Sequence, residues 1–485
     1  MYTCQKADEY IEKNRVDRSD KPEFHLTTPV GWLNDPNGFS IYGGKAHLFY
    51  QFHPYSTEWG PMHWGHSSSK DFIKWEELPT ALAPDSEFDS FGCFSGTAIE
   101  DGGKHVLFYT GVIEEDMADG TKKVTQNQCM AIGDGISYKK ISGNPVVDGK
   151  IMPEDCSRAD FRDPKVWKDE DGRYYMLAGN RTYDGIPQVV LFSSDDMYNW
   201  KFGSVFAKDE TGRFGAVWEC PDYFEMDGHK VLIVSPQDMS ADGEFHNGNN
   251  VVFFTGNVDE EKHIFKYEKA VSVDGGFDFY APQTIRIPDG RRVMIGWMQS
   301  WDSTNTLPRG QKWACMMSVP REISISGDKL IQNPVRELDG YRQNKQAVND
   351  TLRGEKRYEG ISGRVIDMTV DIKKADCGHF TMHLAKDEIH ETCVSYTPGT
   401  QMLEIDRTFA GWIRDTNCVR KVKIKSDNGL SKMRIVMDWN SVEIFVNDGE
   451  QALSTVIYTP RNAQDIVFET DGCVELEVEK YDLNI

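Results

Sequence analysis

The sequence predicts an all-β protein in which a five-bladed β-propeller is followed by a C-terminal β-sandwich. A unit with a polar tip, an alternating strand, a tight glycine turn and a second apolar strand occurs five times, with tips at residues 35, 95, 163, 219 and 280. A hairpin repeat of this length is typical of propeller blades rather than of a solenoid. After residue 333 the unit disappears and short alternating strands follow, which is typical of a sandwich.

Glycine dipeptides mark the hairpin turn of each predicted blade. They favour hairpin turns because these turns require positive φ. Ser-Ser followed by Asp and Trp occurs after both the first and the third hairpin, which indicates further strands in each blade. The turn pairs are Gly43-Gly44, Gly102-Gly103, Asp171-Gly172, Asp227-Gly228 and Asp289-Gly290.

These patterns divide the chain into four segments. Residues 1–23 form an N-terminal segment with one short helix expected between Gln5 and Arg18, and residues 24–333 form the propeller. Residues 334–358 are polar and show no blade pattern, so we interpret them as a linker. The sandwich spans residues 359–485, where alternation from Lys432 to Trp439 predicts a strand.

The charge of the chain limits the partners it can have. Its 485 residues include 54 basic and 77 acidic ones, which gives a formal charge of −23. A surface this negative repels phosphate backbones and anionic membranes, so we expect neither nucleic acid nor a membrane as partner. A neutral small-molecule substrate is compatible with this charge. A phosphorylated substrate would need a local basic patch. The sequence does not indicate an oligomeric state.

Cysteine usage and the N-terminus point to a cytoplasmic protein. The ten cysteines are scattered without metal-ligand spacing, which indicates reduced thiols. The N-terminus is charged from Lys6 onward, and no stretch has the length and apolarity of a membrane span. His53, His63 and His66 also lack the spacing of a zinc motif, so we expect neither a metal nor an organic cofactor.

Three of the five tips carry a carboxylate, namely Asp35, Asp163 and Glu219. Glycoside hydrolysis requires two carboxylates that flank the scissile bond, and a third can hold substrate hydroxyls. Structural interpretations compete with this one. Asp35 before a proline could cap a turn, and Asp163 after Arg162 could form a local ion pair. Glu219 follows two apolar residues, where an unpaired carboxylate is costly, so a functional role is favoured there.

Seven short motifs follow one another along the propeller. The most specific is Gly-Trp-Leu-Asn-Asp-Pro-Asn-Gly from Gly31 to Gly38. The others are Gln51 in Tyr-Gln-Phe-His-Pro, Trp64-Gly65-His66, Phe94-Ser95-Gly96, Arg162-Asp163-Pro164, Glu219-Cys220-Pro221-Asp222 and Gly296-Trp297-Met298. In this order they resemble glycoside hydrolase family 32, the invertases and fructanases. Residues 439–449 also resemble its sandwich motif, so the resemblance runs from about residue 24 to the end.

The resemblance implies a role for each carboxylate. Asp35 would be the nucleophile, and Glu219 would be the acid/base that protonates the leaving oxygen and later activates water. Asp163, oriented by Arg162, would hold fructose hydroxyls and stabilise the transition state. The implied reaction is a double displacement with retention, for which the two reacting carboxyl groups lie roughly 5–5.5 Å apart. The residues implied to shape the fructose pocket are Asn34, Gln51, Trp59, Phe94, Ser95 and Trp297.

The residues leave some alternatives open. Cys220 beside the acid/base candidate is more consistent with a small packing group than with a nucleophile, because no activating histidine is near it in sequence. The leading hypothesis is a β-fructofuranosidase acting on sucrose, sucrose 6-phosphate or short fructo-oligosaccharides. An inverting five-bladed glycosidase of the arabinanase type would need its carboxyl groups roughly 6.5–9.5 Å apart. A non-catalytic sugar-binding propeller is the third hypothesis, because a fold alone does not imply activity.

Overall fold

The computed structural model describes residues 2–304, 306–413, 415–426 and 428–485. The strands in these residues form six sheets. Five of them lie within residues 31–334 and are the blades of a propeller, while the sixth is the large sheet of the C-terminal sandwich. The predicted fold class is therefore confirmed.

Each blade is built on four antiparallel strands, which follow in chain order apart from one interruption in the last blade. The first blade contains β1 (Gly31–Tyr42), β2 (Lys45–His53), β3 (His63–Ser69) and β4 (Trp75–Leu82). The second contains β5 (Gly92–Asp101), β6 (Lys104–Asp116), β7 (Lys122–Gly133) and β8 (Tyr138–Lys140). The third contains β9 (Cys156–Lys168), β10 (Tyr174–Thr182), β11 (Pro187–Ser194) and β12 (Trp200–Lys208). The fourth contains β13 (Val217–Met226), β14 (His229–Gln237), β15 (Val252–Asp259) and β16 (Ile264–Ser272).

The fifth blade closes the propeller. It contains β17 (Tyr280–Arg286), β18 (Arg292–Trp297), β20 (Arg321–Ser326) and β21 (Lys329–Pro334). Between them, β19 (Trp313–Ala314) leaves this blade and pairs in parallel with the start of β1. The first strands of neighbouring blades contact one another all the way round, β17 returning to β1. The tips at the first strands therefore face a common centre.

The turn signals of the sequence appear in the backbone as expected. Gly43 and Gly44 have φ of 57° and 75°, and Asp227 and Gly228 have φ of 52° and 79°. The Ser-Asp-Trp pattern forms one repeated turn. In the first blade Asp71 accepts hydrogen bonds from the backbone amides of residues 73 and 74, and in the third Asp196 accepts them from residues 198 and 199.

The inner strand of every blade carries an irregularity at its tip. Its register with the second strand shifts at residues 33–36, 94–96, 162–165, 219–222 and 280–283. In four blades the shift contains a proline, which has no N–H to give to a ladder and is therefore tolerated at a bulge. A bulge redirects the side chains beside it, so the tips can aim at the centre of the ring.

Most of the segment predicted to be a linker forms a strand of the sandwich. Residues 342–356, expected to connect the domains, form a strand that pairs with the last strand of the chain. Most of its side chains are exposed, so it lacks the apolar alternation from which strands are recognised. The sandwich strands are β22 (Arg342–Lys356), β23 (Ile366–Asp376), β24 (Phe380–Lys386), β25 (Thr392–Thr397), β26 (Met402–Asp406), β27 (Val419–Lys423), β28 (Lys432–Asp438), β29 (Ser441–Val446), β30 (Gln451–Val456) and β31 (Asp465–Leu483).

The N-terminal segment contains the expected helix, which is shorter than the pattern indicated. Helix α1 (Cys4–Asn14) begins after Thr3, whose hydroxyl accepts a hydrogen bond from the Lys6 amide. It packs Ala7 and Ile11 inward. Among the described helices, none has the length and apolar character needed to span a membrane. All ten cysteines are free thiols.

A buried cluster of charges joins the two domains. The imidazole of His25 lies 2.9 Å from Asp438 and 3.0 Å from Glu443, and these three side chains are fully buried. Arg321 of the last blade pairs with Glu443 and with Asp274 at 2.8 and 3.0 Å. The segment just before β1 is therefore fixed to the sandwich and to the fifth blade at once.

Candidate active site

The three predicted carboxylates lie together where the inner strands converge. Asp35 is on β1, Asp163 on β9 and Glu219 on β13. The charges of Asp163 and Glu219 both raise the pKa of Asp35, which places all three in one electrostatic cluster. The ring of blades thus brings together residues that are 56 to 184 positions apart in the sequence.

The two oxygens of Asp35 differ in their surroundings. Oδ2 accepts a hydrogen bond of 2.9 Å from the Ser95 hydroxyl and lies 3.8 Å from the Cys220 sulfur. Oδ1 is buried and accepts no hydrogen bond from the described residues. Burial, followed by the charges of Glu219 and Asp163, raises the pKa of Asp35 to about 7. Asp35 is therefore a carboxylate that Ser95 fixes through Oδ2, in a cluster of like charges.

Asp163 is held by the backbone of the next blade. Its Oδ2 accepts a hydrogen bond of 2.9 Å from the Cys220 amide, and the Cys220 sulfur lies 3.6 Å away. Burial raises the pKa of Asp163 to about 6, although the Arg162 charge opposes this rise. Burial also raises the pKa of the Cys220 thiol, which therefore stays protonated. Cys220 contacts Asp35 and Asp163 as a weak donor, which agrees with a packing group rather than a nucleophile.

Glu219 is held by polar partners on both of its oxygens. Arg162 Nε donates to Oε1 at 3.0 Å, and the Tyr280 hydroxyl lies 2.7 Å from Oε2. The apolar setting expected from the sequence does not surround this carboxylate. Successive residues of a strand point to opposite faces, so Trp218 is buried on the other side, where it donates to the carbonyl of residue 214.

The registers explain which tip residues are equivalent. In blades three, four and five, Asp163, Cys220 and Ala281 begin the bulge, with φ of 62°, 48° and 49°, and each is followed by proline. Glu219 therefore occupies the position of Arg162 and Tyr280. The tips taken at 219 and 280 therefore lie one residue before the positions equivalent to Asp163.

Three of the expected pocket residues are buried near the floor of the ring. Asn34 Oδ1 accepts a hydrogen bond of 2.8 Å from the Trp32 indole. Gln51 donates to the Cys93 carbonyl at 3.0 Å. Trp297 is fully buried and packs its edge against Trp32. These contacts fix the side chains beside Asp35 in single orientations.

Two other expected pocket residues lie nearer the surface. Trp59 is 40% exposed, and its ring meets the ring of Phe94 edge to face at 5.9 Å. Phe91 contacts both of these rings. An exposed aromatic cluster of this kind offers an apolar face on which a sugar ring can stack.

The structure adds residues that the sequence did not single out. One of these is Tyr280 in the fifth repeat unit. It stands two residues before a proline, as Arg162 does, and this shared spacing is the sequence signal for its place at the site. Asp160 and Arg181 extend the contacts of Arg162, with Arg162 Nη1 donating to Asp160 at 3.2 Å. Asp160 lies two residues before Arg162, on the same face of β9. The contact of Arg181 with Asp160, at 2.7 Å, depends instead on how β9 and β10 pair, which their sequence positions do not indicate.

A possible metal-ligand group lies far from this cluster, in the sandwich. His383, Glu391 and Cys393 bring ligand atoms within 4.8 Å of one another. Lys386 already donates to Glu391 at 2.6 Å, so the group is occupied by an ion pair.

The sequence matches the description "Glycosyl hydrolases family 32 N-terminal domain" over residues 25–334 and "Glycosyl hydrolases family 32 C terminal" over residues 337–483. The chain belongs to glycoside hydrolase family 32. The resemblance found in the motifs is thereby confirmed, and the chain is a glycoside hydrolase. The two matches also meet close to the predicted end of the propeller.

Several family 32 proteins are similar over most of their length. A sucrose-6-phosphate hydrolase of Bacillus subtilis is 35% identical, with 98% of this chain and 97% of that protein covered. A raffinose invertase of Escherichia coli is 34% identical over 92% of this chain and 91% of its own. A Bombyx mori β-fructofuranosidase, solved as a mutant in complex with sucrose, has a TM-score of 0.85 at 33% identity, covering 99% of this chain and 98% of that one.

Proposed function

We propose that this glycoside hydrolase is a retaining β-fructofuranosidase that removes the terminal β-D-fructofuranosyl residue of sucrose, sucrose 6-phosphate or short fructo-oligosaccharides. The observation that carries the proposal is the convergence of Asp35, Asp163 and Glu219 in one electrostatic cluster. Ser95 fixes Asp35 there through Oδ2. The similar family 32 proteins, which include sucrose-6-phosphate hydrolases and invertases, support the same activity.

In the first step, the carboxylate of Asp35 attacks the anomeric carbon of the fructosyl unit. The bond from that carbon to the leaving oxygen breaks, and Glu219 transfers its proton to this oxygen. The product is a fructosyl ester on Asp35 and a free leaving sugar. In the second step Glu219 takes a proton from water, the water oxygen attacks the same carbon, and Asp35 leaves as a carboxylate.

Tyr280 can serve Glu219 in both of its protonation states. Its hydroxyl lies 2.7 Å from Glu219 Oε2 and 2.9 Å from the Ser235 carbonyl oxygen. A hydroxyl has a single proton, so it donates to only one of them at a time. When Glu219 is ionised, Tyr280 donates to it. When Glu219 is protonated, it donates to Tyr280, whose own proton turns to Ser235.

Asp163 and Arg162 complete the reaction centre. The Cys220 amide fixes Asp163 Oδ2, which leaves Oδ1 for fructose hydroxyls. Positive charge develops on the fructosyl ring in the transition state, and a carboxylate beside it is stabilising. Arg162 is held between Glu219 and Asp160, so it limits the repulsion among the three carboxylates without moving.

The compartment is also part of the proposal. All ten cysteines are free, including five buried ones, and the sequence pattern indicates reduced thiols. We therefore place the enzyme in the cytoplasm. Its substrate is a small sugar, and neither nucleic acid nor a membrane enters the reaction.

The test combines substrate and stereochemistry. Initial rates are measured on sucrose, sucrose 6-phosphate and kestose, and the methyl fructoside formed in aqueous methanol is identified by NMR. We expect fructose release and the β-anomer of the methyl fructoside. Asp35→Asn should lower kcat by roughly 10⁴-fold or more, whereas Asp289→Asn in an exposed turn should not.

Three other results would contradict the proposal. An α-anomer would indicate an inverting enzyme with a larger carboxylate separation. Sugar binding without any fructose release would indicate a binding protein. Full activity of Asp35→Asn would remove Asp35 from the reaction.

A further inference from the structure

A cavity of about 790 Å³ opens at the end of the propeller ring opposite the three carboxylates. Each of the five inner strands lines it with residues that follow its tip, such as Phe39 on β1 and Arg286 on β17. Because a strand rises about 3.3 Å per residue, Arg286 lies roughly 16 Å along β17 from the bulge at Ala281. The cavity has the size of a small-ligand site and lies away from the reaction centre.

Two arginines of the fifth blade lie side by side in the wall of this cavity. Arg286 ends β17, Arg292 begins β18, and the two are directly opposite in the ladder, so their side chains share one face of the sheet. Like charges in this arrangement repel each other. Burial lowers the pKa of Arg292, the charge of Asp222 opposes this decrease, and the charge of Arg286 adds to it.

Neither arginine forms an ion pair with a carboxylate of the described residues, although acids are abundant in a chain with a formal charge of −23. The neighbouring Arg291, in contrast, pairs with three carboxylates. Asp222, the acid that acts on Arg292, is already paired with Lys165 at 2.9 Å. The repulsion between Arg286 and Arg292 is therefore left without a neutralising acid.

The acids that line the cavity do not change this conclusion. Glu225 and Glu260 pair with Lys230. The other two described acids of the wall, on the second and third blades, are not among the charges that shift the pKa of Arg292. Positive charge therefore prevails where the two arginines lie.

The guanidinium of Arg292 is fixed by two contacts. Its central carbon lies 3.8 Å from the centre of the Phe224 ring on the fourth blade, and Nη1 donates to the Thr284 hydroxyl at 2.8 Å. Nε and Nη2 donate to no acceptor of the described residues. These two groups form the edge through which a guanidinium binds two oxygens of one anion side by side.

We propose that Arg286 and Arg292 bind the phosphate group of a small phosphorylated metabolite in this cavity. Arg292 supplies the fixed pair of donors, and Arg286 supplies the second positive charge for a phosphate dianion. The bound dianion replaces the repulsion between the arginines with two attractions, and it links the fifth blade to Phe224 of the fourth. The site lies outside the reaction centre, so the inference does not depend on the proposed activity.

The experiment is isothermal titration calorimetry at constant ionic strength, with glycerol 3-phosphate, inorganic phosphate and glycerol as probes. We expect the wild type to bind glycerol 3-phosphate more tightly than inorganic phosphate and not to bind glycerol. Arg286→Gln should raise Kd for glycerol 3-phosphate at least about 10-fold, whereas Arg286→Lys should stay within about 3-fold because it keeps the charge. Arg292→Lys should raise Kd about 10-fold, because a lysine has the charge without the paired donors.

A matched control is Arg353→Gln, which removes the same charge from an exposed position on β22 and should leave Kd unchanged. A second measurement is Tm without phosphate. Arg286→Gln should unfold at a higher temperature than the wild type, because the variant lacks the repulsion, and glycerol 3-phosphate should raise Tm more in the wild type than in the variant.

Several results would overturn the inference. Unchanged binding in Arg286→Gln, or equal weakening in Arg353→Gln, would mean that the two arginines do not form the site. Tighter binding of inorganic phosphate than of the ester would exclude a phosphorylated metabolite as the occupant. Loss of phosphate binding in saturating fructose would place the anion at the reaction centre. Failure to release fructose from sucrose would contradict only the proposed function.

Discussion

The protein contains two buried clusters of charge that are built from similar groups and behave in opposite ways. At the reaction centre, three carboxylates share one guanidinium, that of Arg162. At the domain interface, three carboxylates share the imidazole of His25 and the guanidinium of Arg321. The three interface carboxylates share two cations. The three tips have one cation, which also pairs with Asp160.

The pKa values follow this difference. At the reaction centre burial outweighs the opposing hydrogen bonds and the Arg162 charge, and it raises the pKa of Asp35 to about 7 and that of Asp163 to about 6. At the interface burial also opposes ionisation, but the hydrogen bond and charge of His25 lower the pKa of Asp438 and Glu443. The interface is therefore a cluster that stabilises the fold, whereas the reaction centre holds charge at a cost in stability.

The interface cluster should be the more sensitive to loss of one acid. Glu443→Ala leaves His25 and Arg321 buried without that carboxylate, so we expect the free energy of unfolding to fall by roughly 3–5 kcal/mol. Urea unfolding at pH 7 measures this free energy. Glu479→Ala is the matched control, because Glu479 pairs with Lys345 at 2.6 Å on the surface and its loss should cost less than about 1 kcal/mol.

The Glu443→Ala variant should lose stability without losing activity. Below its unfolding transition, Glu443→Ala should retain kcat on sucrose, because Glu443 has no contact with the three tips. A stability loss as small as that of Glu479→Ala would show that the interface charges are not a balanced cluster.

The interface should also weaken in alkali. Burial alone would lower the pKa of His25, but the hydrogen bonds and charges of Asp438 and Glu443 raise it to about 9 from an ordinary 6.5. Because the folded pKa is the higher one, this stabilisation is complete below pH 6.5 and is lost as pH rises through 9. We expect a loss of about 3 kcal/mol over that interval.

A His25→Gln variant sharpens this prediction. Unfolding free energies of both proteins are measured between pH 6 and pH 10. The difference between them should narrow as pH rises. If the free energies of unfolding of the two proteins changed with pH in parallel, the titrating charge would not be on His25.

The fold was largely predictable because its repeats are local. The turn at Gly43-Gly44 and the alternating strands around it are patterns that neighbouring residues determine, and they identify a blade. Strand β22 was not predicted, because its local sequence has no apolar pattern. It lies at the outside of the sandwich with most side chains in solvent, so its pairing with β31 imposes no apolar pattern on the sequence.

The candidate site was predictable only in part. Asp35, Asp163 and Glu219 stand beside prolines or apolar residues, in short motifs that can be recognised. The contact of Tyr280 with Glu219 depends on how the first strands of neighbouring blades, β13 and β17, lie against each other, which no local pattern gives. The hydrogen-bond partners of each carboxylate therefore had to come from the structure.

The most direct test of the difference between the clusters is the stability of two isosteric variants, Asp35→Asn and Glu443→Gln, at pH 7.5. The folded pKa of Asp35, about 7, lies above the ordinary 3.8, so its ionised form costs stability increasingly from pH 3.8 to 7. Asp35→Asn should therefore unfold at higher urea, with a gain of roughly 1–3 kcal/mol that shrinks at pH 5, while Glu443→Gln should unfold at lower urea. If both variants lose stability, ionised Asp35 does not lower the free energy of unfolding, and the proposed difference between the two clusters is wrong.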